Sequence, residues 1–85
     1  MEPQEIKGKI FDFLAKTKNA DGLTYDTELF KSKYITSLFA LQIVMFIEKE
    51  FAIKLGRKDI NEKNFHTINA MADLVSRYLD AKGDR

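Results

Sequence analysis

Near the start of the chain, Ile6, Ile10, Phe13 and Leu14, with Phe11 beside them, recur at three- and four-residue spacing. That spacing lines one face of a helix. Pro3 suits a first helical turn, where its missing N–H costs nothing, and Asn19, Asp21 and Gly22 supply a stop signal. The first helix is therefore expected over residues 3 to 18. From Asn19 to Thr36 the periodicity is lost, yet Leu23, Tyr25, Leu29, Phe30, Tyr34 and Ile35 are too apolar for a free linker. A loop pinned to the core is expected, delivering the chain to Thr36 and Ser37; long loops of this kind are uncommon in compact domains and often functional.

The run from Ser37 to Phe51, SLFALQIVMFIEKEF, contains no Gly or Pro, and its length and charged end favour helix over strand. Ile53 and Leu55 then dock the connection and Gly56 breaks it. Asp59 and Glu62 have the spacing of a capping box for a short third helix through Asn64. Thr67 can cap a last helix whose Ile68, Met71, Leu74, Val75, Tyr78 and Leu79 form one stripe, and the tail AKGDR is expected to fray. The fold class is thus all-α: a small bundle of three main helices plus one short helix, as a single domain over residues 1–85 with no strand and no internal repeat.

The second helix is apolar on more than one side. At about 100° per residue, Ala40, Ile43, Val44, Ile47 and Phe51 fall within the arc of a core-facing stripe. Gln42, Glu48 and Lys49 mark the opposite, solvent side, but Leu38, Leu41 and Met45 fall among them, with Phe39 and Phe46 on one flank. Such a helix is either buried all round or presents an apolar face to a partner. A partner surface is expected for Leu38, Leu41 and Met45. For Phe39 and Phe46 a second possibility is open, that the long loop folds over the flank and hides them.

Composition narrows the setting. With 45% hydrophobic and 32% charged residues in 85 positions, the chain is a globular domain too small for the composite cleft of most enzymes. A formal net charge of +1 gives no basic field for nucleic acid, and the lysines are dispersed as solvating charge. The absence of cysteine excludes disulfides and thiolate metal sites and fits a reducing cytoplasm. The opening MEPQEIKGKI has no apolar signal core and no stretch approaches a bilayer span, so neither export nor membrane insertion is expected. His66, the only histidine, cannot assemble a transition-metal site alone and is expected at a helix boundary.

Thr36 and Ser37 stand where the second helix begins. Unpaired N–H groups and the positive dipole end there favour a phosphate, although Ser and Thr at such positions most often serve only as caps. The phrase Thr36-Ser37-Leu38, followed by Gln42-Ile43-Val44-Met45 and Glu48-Lys49-Glu50-Phe51, resembles the prosthetic-group helix of acyl and peptidyl carrier proteins. There the pattern is Asp-Ser-Leu, then an aliphatic Val-Met stretch ending in an acidic run and Phe. An upstream amphipathic helix, a long loop before the serine, a short third helix and a closing helix opened by Thr67-Ile68 extend the likeness over essentially the whole chain.

The resemblance implies that Ser37 carries 4'-phosphopantetheine, joined from coenzyme A by a phosphopantetheinyl transferase, with Thr36 as the cap beside it. Cargo would ride as a thioester on the arm, supplied by a loading enzyme of adenylation or acyltransferase type and handed to downstream synthase or tailoring enzymes. The chain itself is then a carrier and not an enzyme, and a monomer is expected. The resemblance also places Leu38, Leu41, Met45, Phe39 and Gln42 on the face that meets partners. Thr36 departs from the family's Asp, the acidic residue that in the family supports the transferase reaction. Balanced charge departs from the acidity of fatty-acid carriers and points instead to discrete carriers of polyketide or nonribosomal-peptide biosynthesis. The alternative is an unmodified helical interaction module using the same apolar face.

Overall fold

The computed structural model describes residues 2–17, 21–33 and 35–81, and every regular element among them is helical. The helices are α1 (Pro3–Thr17), α2 (Ser37–Phe51), α3 (Glu62–Phe65) and α4 (Ile68–Ala81), with a 3-10 turn over Arg57–Asp59. This is a small helical bundle with three long helices and one short one. Its Cα radius of gyration, 12.0 Å, is what a compact chain of this length gives. No helix of the described residues is long and apolar enough to cross a membrane.

Pro3 opens α1, with Glu5 in the first turn and Lys16 in the last, both matched to the helix dipole. Ile6, Ile10 and Leu14 are buried, while Phe11 and Phe13 stand half-buried on the flanks. The helix ends at Thr17, one residue before the expected boundary, and residues 18–20, including Asn19 of the stop signal, lie outside the described residues. Gly22 follows at φ 71°, a left-handed turn that a residue without Cβ takes at no steric cost.

α4 supplies the other main wall. Ile68, Met71, Ala72, Leu74, Val75 and Leu79 are buried against α1 and α3. Thr67 caps the helix as its sequence position suggests, its Oγ1 accepting from the Ala70 amide at 3.0 Å. The tail from residue 82 onward, expected to fray, lies outside the described residues.

The long segment before α2 is fastened to the corner between α3 and α4. Leu23, Leu29 and Ile35 are buried. The Leu29 amide donates to the His66 carbonyl at 2.7 Å and the Asn69 amide to the Tyr25 carbonyl at 3.1 Å. The segment thus closes a long loop with backbone bonds in place of regular structure. Tyr34, counted with its apolar residues, lies outside the described residues.

One capping assignment is corrected. Asp59 does not open α3: it closes the 3-10 turn, and its carboxylate accepts from the Tyr78 hydroxyl at 2.6 Å. The cap is Asn61, whose Oδ1 accepts from the Asn64 amide at 2.9 Å, so α3 begins at Glu62 and runs through Phe65. The tight turn draws Asp59 back towards α4 and leaves the next short polar side chain to satisfy the helix start.

Candidate functional site

The segment from Ile35 to Phe51 carries every feature that the sequence singles out for function. Thr36 has extended backbone, φ −101° and ψ 169°, and its Oγ1 accepts from the Phe39 amide at 3.3 Å while its carbonyl accepts from the Ala40 amide at 2.9 Å. This is the geometry of an N-cap, and it makes Ser37 the first residue of α2. The side chain of Ser37 lies outside the described residues. Its neighbours Thr36 and Leu38 are exposed, so the chain on both sides of Ser37 opens to solvent.

α2 is held from its inner face. Ile43, Val44, Ile47 and Phe51 are buried as the helical arc demands, and Ala40 is half-buried. At the far end Ala52 adopts φ 54° and ψ 45°, and the Glu48 carbonyl accepts the Ile53 amide at 3.2 Å. The Glu48 carboxylate accepts the Leu55 amide at 2.9 Å, tying the exit of α2 to the connection beyond it.

The outer face divides differently from the expectation. Leu38, Leu41 and Met45 are 72%, 57% and 69% exposed and form a continuous apolar ridge at i, i+3 and i+7; Gln42 is exposed beside them. Phe39, expected on the partner face, is a correction: it is only 7% exposed and belongs to the core. Its ring lies parallel to that of Phe13, 6.2 Å between centroids. Phe46 stacks on the same ring at 4.3 Å and is half-buried. On this flank α1 supplies cover through Phe13.

Ile60 is a member of the apolar surface that sequence reasoning missed. It is 37% exposed and shares an open groove with Leu41, Phe30 and Phe65, on the side of the ridge away from α1. A second open groove, lined by Met45, Gln42, Phe13 and Phe46, runs along the α1 side. Ile60 lies in a non-periodic stretch between Asp59 and Asn61, so no helical register marks its face. His66 is at the α3 boundary as expected, with Nδ1 3.1 Å from the Glu28 carboxylate.

No protein-family model matches the chain, and no curated protein matches it.

Proposed function

We propose that the chain is a carrier that holds acyl or aminoacyl cargo as a thioester on a 4'-phosphopantetheine arm at Ser37. The observation that carries this reading is the juxtaposition at one helix end: a Thr36-capped N-terminus placing Ser37 first in α2, with the exposed apolar ridge of Leu38, Leu41 and Met45 following directly along the same helix. The free N–H groups and dipole of that end suit a phosphodiester electrostatically. Attachment would form a bond between the Ser37 oxygen and the phosphorus nearest the pantetheine of coenzyme A. The pyrophosphate link breaks, the adenosine bisphosphate leaves, and the serine proton passes to a base of the transferase.

Such a chain needs no active site of its own, because a tethered substrate reaches each partner at high effective concentration. The exposed ridge is where loading, synthase or tailoring enzymes of polyketide or nonribosomal-peptide type would meet it, consistent with a small cytoplasmic partner-dependent protein.

The test is an intact-protein mass before and after incubation with coenzyme A, magnesium and a broad-specificity phosphopantetheinyl transferase. A gain of one phosphopantetheinyl group in the natural chain and none in Ser37→Ala is expected. Loading of the Ser37→Ala protein would overturn the site. No gain in folded protein under several transferases would leave the unmodified interaction module, which the same exposed ridge favours.

A further inference from the structure

Residues 21–33 contain no regular element, yet they are bonded into one piece. The Thr24 amide donates to the Thr27 hydroxyl at 2.8 Å, the Asp26 amide to the Thr24 hydroxyl at 3.2 Å, and the Thr27 hydroxyl to the Gly22 carbonyl at 3.4 Å. Further along, the Ser32 amide donates to the Glu28 carbonyl and the Lys33 amide to the Phe30 carbonyl, both at 3.1 Å. Successive turns thus stiffen the segment from within. Both its ends are left-handed, with Gly22 at φ 71° and Lys33 at φ 62°. Loop positions of this kind are where a chain absorbs the dihedral change of a hinge.

The polar bonds that fasten this piece to the bundle meet at one corner. The Leu29 amide donates to the His66 carbonyl at 2.7 Å, and the Glu28 carboxylate lies 3.1 Å from His66 Nδ1. The Asn69 amide donates to the Tyr25 carbonyl at 3.1 Å, and its side chain to the Asp26 carboxylate. Leu23 and Leu29 are buried beneath, and the Tyr25 ring meets Phe11 edge-on at 6.0 Å between centroids. Leu29 also links the corner to the entrance of α2, because its carbonyl accepts the Ile35 amide at 3.1 Å, one residue before the Thr36 cap.

We infer that residues 22–33 form a latched strap, which opens as one unit about its two left-handed ends while α1, α3 and α4 stay folded, and which in closing fixes the entrance of α2. The internal turns make the piece move together, the bonds across the corner break together, and Ile35 loses its acceptor when Leu29 departs. Exposure of Leu23 and Leu29 keeps the open state rare. Phe30 leaves with the strap, so the groove it lines with Leu41, Ile60 and Phe65 widens when the latch releases. The device does not depend on the carrier reading.

Native-state hydrogen exchange of the full chain in low urea, read residue by residue by NMR, tests it. The Leu29, Ile35 and Asn69 amides come from the strap, the entrance of α2 and the start of α4. They should exchange through one common opening, with a shallower urea dependence than the Ile10 and Val75 amides inside α1 and α4. Gly22→Ala places a Cβ in the left-handed region without any steric neighbour within 4 Å, and should speed all three amides by one common factor of at least about fivefold. Glu28→Ala, at an exposed position, should speed them together by about two- to fivefold. Gly8→Ala, in α1, should slow the Ile10 and Val75 amides by about two- to fivefold and leave the three strap amides unchanged, since α1 is folded whether the strap is closed or open. Equal slowing of the strap amides in Gly8→Ala would mean that the strap opens only with the whole bundle. Unequal factors among the three amides would mean that it frays piece by piece. Either result, or unchanged exchange in both strap variants, overturns the inference; Glu28→Ala and Gly8→Ala decide it if Gly22→Ala does not fold.

Discussion

The hydroxyl of Tyr78 donates to the Asp59 carboxylate at 2.6 Å, joining the last turn of α4 to the 3-10 turn that precedes α3. The same oxygen accepts the Gly56 amide at 2.7 Å. One side chain therefore fixes both ends of the turn, and with it the position of Ile60 beside Leu41.

Tyr78→Phe removes both bonds and should cost about 1–3 kcal/mol, since Gly56 and Asp59 lose a partner in a half-buried site. The hydrogen bond to Asp59 holds the Tyr78 hydroxyl above its ordinary pKa of 10.0, with burial and the Asp59 charge acting in the same direction and the Gly56 amide opposing. The folded chain thus holds this proton more tightly than the unfolded one. The contribution is fully present below about pH 10 and is lost as pH rises through the raised folded value. Urea midpoints at rising alkaline pH should fall more steeply in the natural chain than in Tyr78→Phe; parallel curves would count against the network. Gly56→Ala should also weaken it, because a Cβ there would stand 3.2 Å from the Tyr78 oxygen.

Thr36 permits a graded test of the cap. Thr36→Ala should lose about 1 kcal/mol by removing the acceptor for Phe39. Thr36→Asp keeps an acceptor and adds a negative charge at the positive end of α2, for a gain of about 0.3–1 kcal/mol. Under the proposed function the Asp variant should also load faster with a transferase that relies on an acidic residue there. Equal unfolding midpoints for all three proteins would remove the cap from the account.

The corrected outer face of α2 separates surface from core by mutation. Leu41→Glu and Met45→Glu, at exposed positions, should change stability by no more than about 0.5 kcal/mol and, under the proposed function, should weaken partner turnover. Phe39→Ala, two residues before Leu41, should cost about 3–5 kcal/mol because its ring is packed against Phe13. Circular dichroism melts decide this directly: collapse of the two Glu variants, or indifference to Phe39→Ala, would invert the assignment.

Ala52 ends α2 in the left-handed region, where a Cβ is unfavourable. Ala52→Gly should stabilise the chain by up to about 1 kcal/mol, the relief of strain exceeding the added freedom of the unfolded glycine. A lower urea midpoint in the glycine variant would show that the strain is compensated elsewhere.

Much of this molecule is legible from local pattern. The spacing of Ile6, Ile10 and Leu14 and the stripe from Ile68 to Leu79 determined two helices and the faces they bury, because helical geometry converts sequence spacing into direction. The same rule placed Leu38, Leu41 and Met45 outward, and Thr36 and Thr67 at helix starts, since a cap involves only the next three residues.

Only the tertiary structure decided that Phe13 of α1 covers Phe39 and half-covers Phe46, that Asn61 replaces Asp59 as the cap, and that Ile60 joins the exposed ridge. It also decided where the carboxylates of Glu48, Asp59, Glu28 and Glu50 find their partners, in the Leu55 amide, the Tyr78 hydroxyl, His66 and Lys9. Periodicity states the direction a side chain points from its own helix. What meets it there depends on where distant segments pack, and that is a property of the assembled bundle.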